Sequence, residues 1–294
     1  MKKFNVCNRI KARSRKFLKD CFVSDKRFII DNFEKRLGYK PDLENPRTFN
    51  EKINWRKLYD RRDIFVTFAD RIKVRKYVEE RIGKEPLIKI LQIVDSPKKI
   101  DYSSLPKSFI IKANHGSGWL KIVYNKDKIL REEINDYFLK ILRTDYYSVG
   151  REWCYRGIPR CLIIEELLLD ENGNLPYDYK FFCFDGKVRF LAIDFDRFNN
   201  HRRNLYDAQF RKIDLEYIYT NYKKRVDIPG NFSQLKRIAS ILSKGIDFIR
   251  VDLYSINNKI YFGELTNYPG NGFITFNPKK FDTIFGEYWK VKRN

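Results

Sequence analysis

Apolar and polar positions follow two rhythms along this chain, and the change between them divides it. Over residues 1–40, Phe4, Val6, Ile10, Phe17, Leu18 and Phe22 recur at rough helical spacing among Lys2, Lys3, Arg9, Lys11, Arg13, Arg15, Lys16 and Lys19. That spacing predicts a basic amphipathic helix. Residues 41–46, bounded by Pro41 and Pro46, read as an irregular link. Thr48 then opens a capping-box pattern with Glu51 three residues on, and Ile53, Trp55 and Leu58 continue at helical intervals. A further helix is predicted over residues 65–78, stopping near Gly83. From Leu87 the rhythm changes to short apolar runs bounded by turn residues: 108–114, 120–124, 161–169, 180–184 with 188–193, and 248–254 with 259–265. Asp185-Gly186 and Asn257-Asn258 mark two hairpins. Helices are expected over residues 132–143 and 235–244, the second ended by Gly245. The mixture predicts an α+β fold with mostly antiparallel strands.

The length of 294 residues suggests two units or one large one, and the 43% hydrophobic content excludes wholesale disorder. No run approaches the ~18 apolar residues of a membrane span. Five cysteines without a CxxC pair argue against a disulfide framework or a structural zinc site. The basic opening segment lacks the apolar region and cleavage site of a secretory signal, so a cytoplasmic location is expected. A net charge of +22 invites a nucleic-acid reading. The basic residues are spread along the chain rather than gathered in a stripe, however, so a solvated cationic surface is preferred and no nucleic-acid partner is expected. Peripheral contact with an anionic inner-membrane surface is the corresponding alternative for the N-terminal helix.

Three clusters carry candidate chemistry. Asn114-His-Gly-Ser-Gly-Trp119 lies between two strands with Lys112 just ahead. Its glycines let backbone amides approach phosphate oxygens while the ammonium neutralises them, although an ordinary glycine hairpin fits the same residues. On the last hairpin, Arg250 and Asp252 share one strand face and Glu264 and Thr266 share a face of the partner. Reversal at Asn257-Asn258 sets Asp252 roughly opposite Glu264. Facing carboxylates require a cation between them, and hard oxygens suit magnesium; pairing of Arg250 with one carboxylate is the plainer alternative. The third cluster holds Asp194, Asp196, Arg197, His201, Arg203 and Asn204. Its DxD pair is what a nucleotide-sugar glycosyltransferase could use, and its arginines suit a carboxylate or phosphate. With only two histidines and no GxSxG elbow, a nucleophilic triad has little support.

Taken together, Pro46-Arg-Thr-Phe-Asn-Glu-Lys-Ile, Ile111-Lys-Ala-Asn-His-Gly-Ser-Gly-Trp119, Ile164-Glu-Glu-Leu167, Asp178-Tyr-Lys-Phe181, Asp196-Arg-Phe-Asn-Asn-His-Arg-Arg-Asn204 and Gly263-Glu-Leu-Thr-Asn-Tyr-Pro-Gly270 resemble the TupA-like ATP-grasp family, from about Pro41 to the C-terminus. The resemblance implies an ATP-grasp fold of two α+β subdomains with mostly antiparallel sheets closing on ATP. It divides the chain into a basic helical segment (1–45), a helical region (46–105), a small subdomain with the glycine loop (106–165) and a large subdomain with the metal hairpin (166–294). By the same resemblance, Lys112 reaches the nucleotide phosphates under the loop Gly116-Ser117-Gly118, and Glu165, Glu166 and Leu168 meet the adenine. Lys180 is a second cation, Arg250 stabilises the transferring phosphoryl, and Asp252, Glu264 and Thr266 hold magnesium. Thr266 stands where the wider superfamily often has asparagine, and Asn267 beside it is expected to face away. The implied activity is ATP-dependent carboxylate–amine ligation through an acyl phosphate, joining an amino acid or peptide to an acidic sugar or polysaccharide bound by Arg197, His201, Arg203 and Asn204. A kinase that stops at phosphoryl transfer and a DxD glycosyltransferase are the enzymatic alternatives.

Overall fold

The computed structural model describes residues 23–197 and 200–292. Most of the predicted N-terminal helix therefore lies outside the described residues, which begin just before α1 (Asp25–Leu37), capped by Ser24 and stopped by Gly38 in the left-handed region. In α2 (Phe49–Tyr59) both bonds of the expected capping box form between Thr48 and Glu51. The helix predicted over 65–78 is instead two, α3 (Ile64–Ala69) and α4 (Lys73–Ile82). The Asp70 carboxylate causes the break by accepting from the backbone N–H of Ile72 and Lys73, which starts a new helix inside an uninterrupted apolar rhythm.

The first sheet has the order β1 (Ile90–Val94), β4 (Leu162–Glu166), β2 (Phe109–Ala113), β3 (Leu120–Val123), antiparallel throughout. The segment expected to be helical up to residue 105 thus also contributes a strand, and the run expected over 161–169 pairs only as far as Glu166. Alternation on β2 decides its two faces. Phe109, Ile111 and Ala113 are buried with Phe138 and Ile141 of α5 (Arg131–Leu142), while Ile110 and Lys112 face the other way. The short α6 (Tyr147–Gly150) follows.

The second sheet runs β11 (Lys259–Thr266), β10 (Phe248–Ile256), β5 (Asp178–Phe184), β6 (Lys187–Phe195), β7 (Arg202–Asp207), β8 (Lys212–Ile213), also antiparallel. Both predicted hairpins close with two left-handed residues, Asp185-Gly186 and Asn257-Asn258, the geometry that matches the strand twist. One face of this sheet packs on α7 (Phe232–Ser243), where Cys183 Sγ approaches Ala239 O. The opposite face is divided along its strands. Phe182, Phe184 and Phe248 lie under Phe49 of α2, at 6.1, 6.3 and 5.0 Å between ring centroids. Farther along the same face come Asp178 and Lys180 on β5 and Arg250, Asp252 and Tyr254 on β10, which α2 leaves uncovered. A small pair, β9 (Glu216–Tyr217) with β12 (Phe276–Asn277), and α8 (Lys280–Glu287) complete the fold. Among the described residues no helix is long and apolar enough to cross a membrane.

Candidate active site

A cavity of about 950 Å³ takes walls from both sheets. Ile110, Lys112, Leu120 and Ile122 come from the first; Asp178, Asp194, Asp252 and Glu264 come from the second. The glycine loop and the acidic hairpin therefore meet in one space, as the sequence predicted. One part of the lining is apolar (Ile88, Leu167, Leu168, Leu175, Pro176 and Tyr177); Leu168 belongs to it, and Glu166 lines the cavity beside it. The Glu166 N–H is already bonded to Lys89 O at 3.0 Å. Glu165 does not face this cavity; it lies beneath it, with Oε2 2.6 Å from Lys112 Nζ and Oε1 3.7 Å from Arg75. That carboxylate fixes where the Lys112 ammonium enters.

The glycine loop divides into an anchor and a lining. Asn114 is buried, its Oδ1 accepting from Arg71 N–H at 2.9 Å. His115 is buried against Ile141 O, and burial lowers its pKa. Gly116, expected beside the nucleotide, is a packing glycine: a Cβ there would stand 2.5 Å from the Trp119 ring and 2.9 Å from Tyr146. Ser117 and Gly118 do line the cavity, and Gly118 has φ +75°.

The hairpin register is Asp252 opposite Glu264, as predicted. A bulge at Asp252/Leu253 sets Gly263 against the opposite backbone, where a Cβ would lie 3.0 Å from Asp252 O. Arg250 grips Asp252 in a fork (2.7 and 2.7 Å) and also reaches Glu264 Oε1 (3.0 Å) and Thr266 Oγ1 (2.9 Å). Thr266 Oγ1 donates to Glu264 Oε1 at 2.9 Å, so this hydroxyl orients the carboxylate rather than standing open to a cation. Lys180 is buried among acids, bonded to Asp178 and, at 2.9 Å, to Asp252, with Asp194 3.6 Å away. Both Asp252 oxygens are thus engaged. Burial pushes its carboxyl up against the pull of Arg250 and Lys180. At Glu264 burial acts the same way, but Arg250, Arg71, Lys180 and Arg197 outweigh it and hold the group well below the usual carboxylate range. Glu264 Oε2 faces Arg71 at 3.8 Å. Asp178, 3% exposed, has an Oδ1 with no hydrogen-bond partner among the described residues. Asn267 faces away as expected, donating to Phe65 O at 2.8 Å.

A second cavity of about 610 Å³ adjoins the first, sharing Ser117, Gly118, Asp194, Arg197 and Glu264. Lys180, Arg250, His201 and Arg203 line it, with Tyr217 and Tyr219. Arg203 forks onto Asp194, with one contact at 2.8 Å, and His201 Nε2 lies 3.2 Å from the same carboxylate while its ring stacks on Tyr219 at 3.6 Å. Burial raises the Asp194 carboxyl, but His201, Arg203 and Lys180 overcome it and hold the group well below its ordinary value. Arg197 reaches Asp178 at 3.0 Å. Asn204 is excluded from this group. Strand alternation turns it to the other side of β7, where it bonds the Tyr222 backbone through both Nδ2 (3.1 Å) and Oδ1 (2.9 Å) and has 1% exposure. The DxD reading also fails on geometry, because Asp194 is buried in its ion pairs while Asp196 is exposed at a left-handed turn.

Charge separates the two spaces. The first is lined by seven carboxylates and three cations, the second by five Lys or Arg side chains and two carboxylates. Among the described residues no group of three or more His, Cys, Asp or Glu forms a self-contained metal cage. Glu264 Oε2 and Asp178 Oδ1 are nevertheless hard oxygens, as magnesium prefers when phosphates and water supply its other ligands.

The sequence profile of the TupA-like ATPgrasp family matches residues 51–290. The chain belongs to that family, and the two antiparallel sheets around one cavity are its ATP-grasp fold. Solved structures with a similar arrangement are distant. The D-alanine–D-alanine ligase of Bacillus anthracis complexed with ATP is 14% identical over 68% of this chain and 53% of its own, with a TM-score of 0.41. The ATP-grasp ligase PsnB with a minimal precursor is 10% identical over 74% and 60%, TM-score 0.41. The ADP complex of PurK, the N5-carboxyaminoimidazole ribonucleotide synthetase, is 11% identical over 68% and 45%, TM-score 0.40. The chain spans 45–60% of the length of these three proteins. No curated protein matches it by sequence.

Proposed function

We propose that the protein is an ATP-dependent carboxylate–amine ligase joining an amino acid or peptide to an acidic sugar or polysaccharide acceptor of a bacterial surface polymer, or to its precursor. The observation that carries this reading is the meeting of Lys112, the Ser117-Gly118 loop and the acidic hairpin around one cavity, which opens into a neighbour of opposite charge balance. The apolar wall suits the adenine ring, and Lys112 with the loop amides suits the phosphates. Glu264 Oε2 and Asp178 Oδ1 would hold magnesium beside Asp252, whose own oxygens are taken up by Arg250 and Lys180, and the ion would neutralise charge on the terminal phosphate oxygens. The second cavity suits an acceptor carboxylate, placed by Arg203, His201 and Arg197 beside Arg250 and Lys180.

In this arrangement a carboxylate oxygen attacks the terminal phosphorus, the bond to ADP breaks, and an acyl phosphate forms. The amine then attacks the acyl carbon, and phosphate leaves as the amine loses its proton. Arg250, fixed by Asp252, Glu264 and Thr266, is aimed where negative charge accumulates, and Lys180 supports it from below. Such transfers depend on positioning and electrostatics rather than on a protein nucleophile, in keeping with the missing triad. The test is a screen of ADP release with amino acids and acidic sugars, singly and in pairs. The ligase reading requires ADP and phosphate in equal amounts only when amine and carboxylate are both present, and hydroxylamine should replace the amine to give a hydroxamate. Release of ADP with a stable phosphorylated acceptor and no need for an amine would instead establish the kinase.

A further inference from the structure

We infer that the Tyr217 hydroxyl is a hydrogen-bond donor to the substrate carboxylate in the second cavity, an assignment that deepens the ligase reading above and rests on it. Tyr217 ends β9, lines that cavity and is 1% exposed. Its hydroxyl has no hydrogen-bond partner among the described residues. A buried donor without an acceptor costs free energy that an apolar side chain of the same shape does not. Packing alone would be served as well by phenylalanine, since the Tyr217 ring meets Phe182 and Phe276 at 5.8 and 5.3 Å between centroids.

The groups around the phenol supply no acceptor. Arg203 lies over its ring, 5.1 Å from the centroid, and the charges of Arg203 and Arg250 both act on it. A guanidinium only donates. The two carboxylates acting on the phenol, Asp194 and Asp252, are already taken: the first by Arg203 and His201, the second by Arg250 and Lys180. Burial pushes the phenol up, so the hydroxyl keeps its proton and can donate. A carboxylate drawn in by Arg203 and Arg250 brings the acceptor that this donor lacks. The position of Tyr217 is enforced from both sides. It pairs with Phe276 of β12, Ile218 N–H donates to Thr275 O at 3.2 Å, and Tyr219 N–H donates to Tyr217 O at 2.7 Å. Between these bonds Ile218 has φ +67°, a region that β-branched residues rarely adopt. Such a turn persists only where its surroundings over-determine it, and such turns cluster at ligand sites.

The test compares the full wild-type chain with Tyr217→Phe, which removes the hydroxyl and keeps the ring. Hydroxamate formation is followed with ATP, magnesium and hydroxylamine while glucuronate or galacturonate is varied. Affinity for the non-hydrolysable triphosphate AMPPNP is measured by calorimetry, and the melting temperature is recorded. The variant should melt at or above the wild-type temperature, bind AMPPNP as wild type does, and show a uronate KM raised roughly 10-fold or more. An unchanged KM overturns the assignment. A lower melting temperature with an equal loss for AMPPNP also overturns it, because the hydroxyl then serves the fold. If wild type binds AMPPNP but forms no hydroxamate from either uronate, the acidic-sugar reading fails first and takes this inference with it.

Discussion

Glu264→Gln separates the function of the acidic hairpin from its stability. Gln keeps the shape and an acceptor oxygen, so the Arg250 and Thr266 hydrogen bonds at 3.0 and 2.9 Å can persist, and only the charge is lost. At 3.0 Å and an effective dielectric constant of about 20, the Arg250–Glu264 attraction is roughly 5–6 kcal/mol. Desolvation offsets most of it. Because the carboxylate is 32% exposed and Asp252 still holds Arg250, the net loss of stability should be only about 1 kcal/mol, or a melting shift of a few degrees. Magnesium-dependent nucleotide binding should suffer far more, since one charge-assisted contact to the ion is worth about 1.5–3 kcal/mol, or roughly 10–100-fold. The assay is ATP affinity by calorimetry with magnesium and with EDTA, alongside thermal melting. Wild type should bind more tightly with magnesium, and the variant should lose most of that increment. A folded Glu264→Gln protein with the full magnesium increment would refute the placement of the metal on this hairpin.

Three further outcomes follow from other parts of the structure. Gly116→Ala forces a Cβ to within 2.5 Å of Trp119; it should cost about 1–3 kcal/mol and weaken ATP binding by displacing the loop, whereas an unchanged melting temperature would show that the loop is not packed in this way. Asn204→Ala should cost about 1–3 kcal/mol in denaturant unfolding, through its bonds to Tyr222, and leave nucleotide affinity alone; a selective loss of ligand binding without destabilisation would restore it to the site. Asp247, which burial raises, is nonetheless held at about 2 by Arg56, Arg62 and Trp289, against an ordinary 3.8. The unfolded chain therefore takes up that proton first, so about 2 kcal/mol of stability present above pH ~4 is lost as the pH falls toward 2. Asp247→Asn should flatten the acid limb of melting temperature against pH, and identical slopes for variant and wild type would contradict this.

What the sequence revealed depended on how local the determinant is. The last hairpin was legible because Asn257-Asn258 fixes a two-residue turn, but that turn alone would set Asp252 opposite Gly263; the bulge at Asp252/Leu253 brings Glu264 there, within the one-residue tolerance of the sequence reading. The capping box at Thr48 was legible for the same reason: its partners lie three residues apart. The break at Asp70 was hidden, since apolar spacing runs through it and only a side-chain cap interrupts the helix; Arg71 was missed with it. Asn204 was placed in the site because it neighbours Arg203 in sequence, although a strand turns adjacent residues to opposite faces. Gly116 and Gly118 look alike in the sequence, yet one is set by the Trp119 and Tyr146 rings and the other by its backbone angle. Such differences arise from contacts between segments distant in the chain, which periodicity does not encode.

Hydrogen–deuterium exchange on the full chain, with and without AMPPNP and magnesium, bears most directly on the convergence of loop and hairpin. Nucleotide should slow exchange both in residues 114–120 and in residues 262–266, which come from different sheets, and EDTA should weaken the protection of the hairpin before that of the loop. Protection of only one segment, or of neither while the nucleotide is demonstrably bound, would contradict a shared phosphate and metal site.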